Sequence, residues 1–260
     1  MRRTTRLLAR LLLAALLLAG CAPGQTVGTT SSAAPARSLT VFAAASLQKT
    51  FTVLGKTFEA SHPGVTVVIN FAGSQTLASQ LVEGASADVF ASANETQMKV
   101  VTDAGLAAGE PTVFATNQLM IAVPPDNPAG IASFGDLTRK GLALVVCAPA
   151  VPCGAATEKV EQATGVRLDP VSEEQSVAAV LSKVRTGEAD AGLVYRTDVI
   201  AAGGSVKGIA FPESDQALNR NPIVLLKGAP QAELGRAWID LVLSAQGQKV
   251  FTDAGFQGAP

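Results

Sequence analysis

Two serines stand where their hydroxyls could bind an anion. Ser46 lies between a short apolar run, 39–43, and a segment of helical period, and Ser74 has the same placement after the run 65–71. At such a junction the hydroxyl and the free N–H groups of the helix N-terminus point out of the strand end, which suits an anion. Serine is also an ordinary helix N-cap, so either residue alone indicates only a cap. Two of them in successive units favour a shared anion site.

Strand-then-helix units carry these serines. The strand at 39–43 precedes a helix whose apolar residues recur at i, i+4, i+7 and i+11, namely Leu47, Phe51, Leu54 and Phe58. The next units are predicted as a strand at 65–71 with a helix carrying Leu77, Leu81 and Val82, and a strand at 88–91 with a helix starting at Asn94. This alternation is typical of an α/β fold with mostly parallel strands.

A second series of units follows the turn at Pro124 to Pro128. It is predicted to contain strands at 142–146 and 191–195 and helices at 134–139, 155–163 and 173–185. A strand at 223–226 and a helix at 231–244 are predicted to return to the first series, with Trp238, Leu241 and Val242 facing its core. We expect two doubly wound lobes around a cleft, with lobe 1 formed by residues 39–118 and 219–260 and lobe 2 by residues 119–218.

The first twenty residues have the pattern of a secretory signal. Four arginines surround an apolar run at 7–19, which is shorter than the about 20 apolar residues that a membrane-spanning helix needs. Leu18-Ala19-Gly20-Cys21 resembles the bacterial lipobox, in which the cysteine carries the lipid. Residues 1–20 are therefore predicted to be a signal peptide and residues 21–38 a lipidated, flexible tether. We expect an exported protein that Cys21 anchors to the extracytoplasmic side of the cell membrane.

The other two cysteines, Cys147 and Cys153, flank Ala-Pro-Ala-Val-Pro. In a chain exported to an oxidising compartment, this pair favours a disulfide that stiffens the loop between them. The alternative of a different class is a thiol-disulfide or sensory protein that uses the two cysteines, although their spacing is not Cys-x-x-Cys.

Composition argues against several other functions. Without the four N-terminal arginines, 16 basic residues remain against 21 acidic ones, a formal charge of −5 that does not suit nucleic acid. Serine hydrolysis lacks a base, because His62 is the only histidine and precedes a Pro-Gly turn, and no Gly-x-Ser-x-Gly elbow occurs. Neither clustered metal ligands nor a phosphate-binding loop is found. We expect a binding protein and not an enzyme.

An ordered set of motifs resembles the molybdate-binding proteins of ABC importers, the ModA family. Val41-Phe42-Ala43-Ala44-Ala45-Ser46-Leu47 is similar to the opening motif of that family, and the resemblance runs from about Leu39 to the C-terminus. It implies a periplasmic-binding-protein architecture of type II, and the lipobox at Leu18 to Cys21 adds that this member is a lipoprotein. The further matching segments are Phe71-Ala72-Gly73-Ser74, residues 84–93, Asn117-Gln118-Leu119 and Gly192-Leu193-Val194-Tyr195.

The resemblance implies five ligand contacts. Ser46 and Ser74 match the two oxyanion-binding serines of the family, and Tyr195 matches a tyrosine whose hydroxyl reaches the ligand. Val177 and Cys153 match residues that donate a backbone N–H, and some relatives carry alanine in place of the cysteine. If the metal-centred oxyanion is counted as a metal, the same five residues are its metal site.

Every implied contact is a neutral hydroxyl or amide donor. Molybdate and tungstate are dianions without protons at neutral pH, so donors alone satisfy them and penalise a protonated anion such as hydrogen phosphate. We therefore expect a monomer that captures molybdate or tungstate without a cofactor and delivers it to the permease and ATPase of an ABC importer. Sulfate, with the same charge and shape but shorter bonds, is the alternative ligand.

Overall fold

The computed structural model describes residues 37–258, which form an α/β fold. The predicted signal peptide, Cys21 and the tether up to residue 36 lie outside the described residues. The last two residues of the predicted tether, Arg37 and Ser38, belong instead to strand β1, where they pair with Val65 and Thr66. The strands are β1 (Arg37–Ala44), β2 (Val65–Ala72), β3 (Val89–Ala91), β4 (Thr112–Asn117), β5 (Leu119–Val123), β6 (Leu144–Cys147), β7 (Ser172–Glu174), β8 (Ala191–Tyr195), β9 (Lys207–Ile209), β10 (Asn219–Leu225) and β11 (Gln257–Gly258). The α-helices are α1 (Gln48–Ser61), α2 (Ser74–Val82), α3 (Glu95–Asp103), α4 (Pro152–Thr164), α5 (Val177–Arg185), α6 (Arg196–Ala202), α7 (Ala232–Leu243) and α8 (Ala245–Asp253). Three 3-10 turns complete the set: Ala45–Leu47, Gly135–Thr138 and Pro212–Ala217.

The first sheet has the strand order β11-β4-β10-β3-β1-β2 and is covered by helices on both faces. On one face, Trp238 of α7 packs edge-on against Phe51 of α1, and Phe251 of α8 joins the same cluster. On the other face, Leu77 of α2 and Met98 of α3 belong to a second buried cluster. Helices on both faces are the doubly wound arrangement that the sequence predicts.

The second sheet has the strand order β7-β6-β8-β5-β9 and its own buried core. The chain enters it through Gln118, between β4 and β5, and leaves it through Leu218, between the 3-10 turn at Pro212–Ala217 and β10. These two crossings lie next to each other, because Asn117 and Asn219 pair in the ladder of β4 and β10. None of the described helices has the length and apolar character needed to cross a membrane.

The strands are less uniformly parallel than predicted. In the first sheet β10 is antiparallel to both β3 and β4, and in the second sheet β5 is antiparallel to both β8 and β9. Each of these strands adjoins a crossing between the sheets. Parallel neighbours need a covering crossover segment, and a chain that arrives directly from the other sheet has none. Strand β1 is parallel to both of its neighbours, β2 and β3, and this part of the first sheet carries Ser46 and Ser74.

Two predicted helices differ from the structure. Residues 134–139 form only the 3-10 turn Gly135–Thr138, where Asp136 accepts hydrogen bonds from the N–H groups of Ala132 and Ser133. The helix predicted from residue 173 begins at Val177, because Ser172–Glu174 form β7 and pair in parallel with β6. The short elements β4, α6, β9, α8 and β11 were not predicted at all.

Candidate anion-binding site

A small cavity lies between the two sheets and brings together all five sequence-predicted contact residues. Its volume, measured as the space open to the centre of a water-sized sphere, is about 10 Å³. Because this is the space for the centre of the sphere alone, the cavity walls lie a further sphere radius away on each side. The cavity therefore suits a compact species and excludes an extended one such as a sugar. Its lining consists of Ala44, Ala45, Ser46, Gly73, Ser74, Ala93, Val151, Pro152, Cys153, Val177 and Tyr195.

The two serines reach the cavity from adjacent parallel strands. Ser46 lies in the 3-10 turn that joins β1 to α1, and Ser74 is the first residue of α2, directly after β2 and Gly73. Because β1 and β2 are parallel neighbours, both strands end at the same edge of the sheet. Both side chains are buried. Ser46 and Ser74 therefore meet at one cavity, as the sequence predicts.

The two hydroxyls have different surroundings. Ser46 Oγ is buried and has no hydrogen-bond partner among the described residues. Ser74 Oγ accepts a hydrogen bond from the backbone N–H of Ala93 at 3.0 Å. With its acceptor role taken by that N–H, the Ser74 hydroxyl has its own hydrogen available for the cavity.

Cys153 and Val177 approach the cavity from the second sheet at the N-termini of two helices. Cys153 is the second residue of α4, after Pro152, and Val177 is the first residue of α5, after the N-cap Ser176. The first N–H groups of a helix have no acceptor within it, and the helix dipole gives that end a partial positive charge. The ends of α2, α4 and α5 therefore place backbone donors around one point.

Tyr195 ends β8, and its side chain is fully buried. Its hydroxyl oxygen accepts a hydrogen bond of 2.6 Å from the Nδ2 group of Asn219. Burial raises the pKa of Tyr195 well above its usual range, the nearby Asp198 carboxyl raises the pKa further, and the bond from Asn219 lowers it in part. The hydroxyl is therefore neutral at physiological pH, and it can donate its hydrogen.

The residues that line the cavity include no Lys, Arg, Asp or Glu. Asp198 lies behind the cavity, and its Oδ2 accepts a hydrogen bond from the backbone N–H of Tyr195 at 2.9 Å. Burial raises the pKa of Asp198 to about 7, and that N–H lowers it in part. Among residues 37–258, no group of three or more His, Cys, Asp or Glu is placed to hold a metal cation. The cavity therefore offers hydroxyl and backbone N–H donors, and no charged side chain lines it.

Hydrogen bonds between side chain and backbone close the cleft around the cavity. Gln75 of α2 donates to the carbonyl oxygen of Gln175 at 2.9 Å, and Gln97 of α3 donates to that of Ala150 at 2.9 Å. Gly73 leaves no room for a side chain, because a Cβ atom there would collide with the carbonyl oxygen of Gln175. The structure is therefore a closed form, in which the two sheets meet over the cavity.

Cys147 and Cys153 form a disulfide with a Cα to Cα distance of 5.7 Å, as the sequence predicts. It ties the end of β6 to the first turn of α4 and closes the loop that carries Ala150. The packing there is tight, because a Cβ atom at Gly154 would collide with the carbonyl oxygen of Ala148. The disulfide therefore holds the backbone that presents Cys153 to the cavity.

The sequence arguments missed Asn219 and Ala93, which contact the predicted donors. Asn219 follows the return crossing, and its position in the chain gives no sign of contact with Tyr195. A larger open groove of about 580 Å³ lies beside α3 and is lined by charged residues such as Glu95, Lys99 and Asp103. It holds none of the predicted contacts, and its size and exposure do not suit the capture of a small anion.

Comparison with known proteins shows the family of the chain. The sequence model of a family described as "Bacterial extracellular solute-binding protein" matches residues 39–257. A protein of Mycobacterium tuberculosis named "Molybdate-binding protein ModA" is 50% identical over 249 residues, covering 94% of this chain and 95% of that protein. A "Putative ABC transporter substrate-binding lipoprotein YvgL" of Bacillus subtilis is 30% identical over 255 residues, with 94% and 95% covered.

A solved structure shares the fold. The Azotobacter vinelandii periplasmic molybdate-binding protein superimposes with a TM-score of 0.73 at 22% identity, covering 84% of this chain and 98% of that one. These relatives are binding proteins and not enzymes. The chain belongs to the bacterial extracellular solute-binding proteins and, within them, to the ModA family.

Proposed function

We propose that this protein captures molybdate or tungstate in the cavity between its sheets and delivers the anion to an ABC importer. One observation carries the proposal: three hydroxyls and two backbone N–H groups, at the starts of α4 and α5, converge on a buried cavity that no charged side chain lines. The hydroxyls belong to Ser46, Ser74 and Tyr195, and the backbone donors to Cys153 and Val177. No cofactor is needed, because the protein binds its ligand without transforming it.

The donor set suits a dianion without protons. Three helix N-termini spread partial positive charge around the site, and hydrogen bonds to a charged acceptor are stronger than neutral ones. Hydrogen phosphate would bring a hydrogen that needs an acceptor, and the lining side chains supply hydroxyl donors. Sulfate can accept hydrogen bonds from the same donors. Because its bonds are shorter, sulfate is the smaller anion, and only the size of the closed cavity can discriminate against it. Sulfate is therefore the alternative ligand.

Binding and closure are coupled in this proposal. Lobe 1, residues 39–118 and 219–260, holds Ser46 and Ser74, which meet the anion first. Lobe 2, residues 119–218, then closes and brings Tyr195 and the N–H groups of Cys153 and Val177. The bonds of Gln75 and Gln97 across the cleft form in the same step and stabilise the loaded state.

The loaded protein acts as a monomer on the extracytoplasmic side, where it docks on the permease, and the ATPase drives import from the other side of the membrane. Lipid on Cys21 holds it at the membrane, with residues 21–36 as the tether. The related lipoprotein of Bacillus subtilis supports this arrangement. Replacing Cys21 with alanine should move the protein from the membrane fraction to the soluble fraction. A variant that stays in the membrane fraction would refute the lipid anchor.

Thermal unfolding with added anions tests the ligand. Ligand at 100 times its dissociation constant adds about 2.7 kcal/mol, which raises Tm by about 5 to 10 °C for a protein of this size. The exported protein would be purified in detergent, stripped of ligand, and melted with molybdate, tungstate, sulfate and phosphate at equal ionic strength. A shift with molybdate and tungstate alone supports the proposal. A larger shift with sulfate would make sulfate the ligand, and no shift with any anion would refute the oxyanion site.

A role in thiol-disulfide exchange or sensing would need a reactive cysteine pair. Cys147 and Cys153 are both buried, so an attacking thiolate cannot reach their sulfurs in the folded protein. We therefore assign the disulfide a structural role. Alkylation under mild reductant checks this, because a redox-active pair would be labelled rapidly without unfolding.

A further inference from the structure

Asn219 occupies the point where the chain returns from the second sheet to the first. It is the first residue of β10, directly after the crossing at Leu218, and its side chain is buried. A buried amide must satisfy its donors, and an amide at this place can contact both sheets. Its partners therefore decide what it does.

The nitrogen of the Asn219 side chain has two close partners. Nδ2 lies 3.0 Å from the carbonyl oxygen of Ala93, in the loop after β3, and 2.6 Å from the hydroxyl oxygen of Tyr195. The carbonyl oxygen of Pro152 lies farther away, at 3.5 Å. A carbonyl oxygen can only accept, so the atom that faces Ala93 must be the amide nitrogen and not the amide oxygen. The same nitrogen then donates its second hydrogen to Tyr195.

This donation determines the orientation of the Tyr195 hydroxyl. The hydroxyl has one hydrogen, and its oxygen already receives one from Asn219. Its own hydrogen must therefore point away from Asn219, and the cavity that Tyr195 lines provides that direction. Without Asn219, the hydroxyl could rotate and present a lone pair to the cavity.

Ala93 links this arrangement to the serine on the other side of the cavity. Its N–H donates to Ser74 Oγ at 3.0 Å, and its carbonyl oxygen accepts from Asn219 at 3.0 Å. One residue therefore supports a donor from each sheet. The hydroxyl oxygens of Ser74 and Tyr195 each accept a hydrogen bond from a protein N–H, so each hydroxyl can donate its own hydrogen to the cavity.

We infer that Asn219 is a positioning residue that determines the specificity of the site. By holding the Tyr195 hydroxyl as an obligatory donor, it makes the cavity select oxyanions without protons and reject anions that carry one, such as hydrogen phosphate. The inference rests on the proposed function, and it adds a residue that does not itself touch the ligand.

The test compares Asn219→Ala with a matched control. Asn117 lies opposite Asn219 in the ladder, is equally buried, and donates to Thr197 Oγ1 at 2.8 Å instead of to Tyr195. Titration calorimetry at pH 7 would give dissociation constants for molybdate, sulfate and phosphate. Asn219→Ala should lower the preference for molybdate over phosphate by about tenfold. Sulfate, which carries no proton at this pH, should weaken in parallel with molybdate.

Three results of this titration would overturn the inference. The preference for molybdate over phosphate could be unchanged in Asn219→Ala, or it could fall equally in Asn117→Ala. It could also fall further when Asn219→Ala is added to Tyr195→Phe. In the last variant there is no hydroxyl to orient. If the wild-type protein bound none of the three anions, the proposed function itself would fail, and that result is distinct from all of these.

A second measurement uses the wild-type protein and does not depend on the folding of a variant. Tyr195 is the only tyrosine in the chain, so the tyrosine doublet in its Raman spectrum reports on one hydroxyl. We expect a hydroxyl that both accepts and donates when molybdate is bound. A spectrum typical of a hydroxyl that only donates would overturn the inference, because Asn219 would not then be its donor.

Discussion

Replacing Ser46 with alanine should weaken anion binding without destabilising the ligand-free protein. Ser46 Oγ is buried and has no partner among the described residues, so the substitution breaks no hydrogen bond of the protein. In the ligand-free protein the cleft is open in the proposed mechanism, so the Ser46 hydroxyl meets water there and its removal leaves no protein group unpaired. The ligand-free Tm of Ser46→Ala should therefore be equal to that of the wild type.

Ser74→Ala is the matched comparison, with the opposite effect on stability. Ser74 Oγ accepts from the N–H of Ala93 at 3.0 Å, and Ala93 is buried. Alanine at residue 74 leaves that N–H unpaired, which should lower the free energy of unfolding by about 1 to 3 kcal/mol. For a protein of this length, Tm should fall by about 2 to 4 °C for each kcal/mol.

Both substitutions remove a donor to a buried charge. The loss of about 1.5 to 3 kcal/mol corresponds to an affinity for molybdate that is about 10 to 150 times weaker. Calorimetric titration measures the affinity, thermal unfolding measures the ligand-free stability, and the exposed Ser61→Ala is a control for both. A Ser46→Ala protein that binds like the wild type, or that is destabilised as much as Ser74→Ala, would refute the assignment of this hydroxyl.

Three further predictions concern closure, pH and the disulfide. Gly73→Ala should weaken binding strongly, because its Cβ atom collides with the carbonyl oxygen of Gln175 and holds the cleft open, which small-angle scattering with molybdate would detect. Burial raises the pKa of Asp198 from 3.8 to about 7. Between these two values the unfolded chain loses the proton and the folded protein keeps it, so the free energy of unfolding is highest below pH 3.8 and falls as the pH rises to about 7. Asp198→Asn should remove this decline, which amounts to about 4 kcal/mol and is measurable by urea unfolding between pH 4 and 8. Reducing the bond between Cys147 and Cys153 should cost about 2 kcal/mol of stability and also weaken molybdate binding, as titration of the reduced and alkylated protein would measure.

Each of these has a control or a contrary result. Gly55→Ala tests helix stability alone, since a Cβ atom there meets only ordinary contacts at 3.7 Å or more. A pH profile of Asp198→Asn that follows the wild type would show that another group causes the decline. If reduction lowered Tm and left the affinity for molybdate unchanged, the disulfide would stabilise the fold without positioning Cys153.

The main features of the site could be predicted from the sequence because local patterns carry them. A serine between a strand and a helix has its hydroxyl and the helix N–H groups at the strand end, whatever the rest of the fold does. Ser46 and Ser74 follow from this rule and from the order of the first two units. Tyr195, Cys153 and Val177 were predicted through the family resemblance and not from spacing. The structure brings all five residues to one cavity.

The pairing of strands across the crossings depended on tertiary contacts. The antiparallel neighbours of β5 and β10 come from distant parts of the chain, and no local periodicity encodes them. The segment at Ser172–Glu174 is a strand because β6 lies beside it, although its sequence had favoured a helix. Short elements of this kind take their conformation from the neighbour that pairs with them.

The sequence by itself determined which chemical groups the site contains: neutral donors at strand ends and helix starts, with a cysteine pair that can brace one of them. Only the tertiary structure decided how those donors are oriented. Asn219 is 24 residues from Tyr195 along the chain and 126 from Ala93, yet it contacts both. Hydrogen bonds between such distant residues depend on how the two sheets pack, so neither propensity nor spacing reveals them.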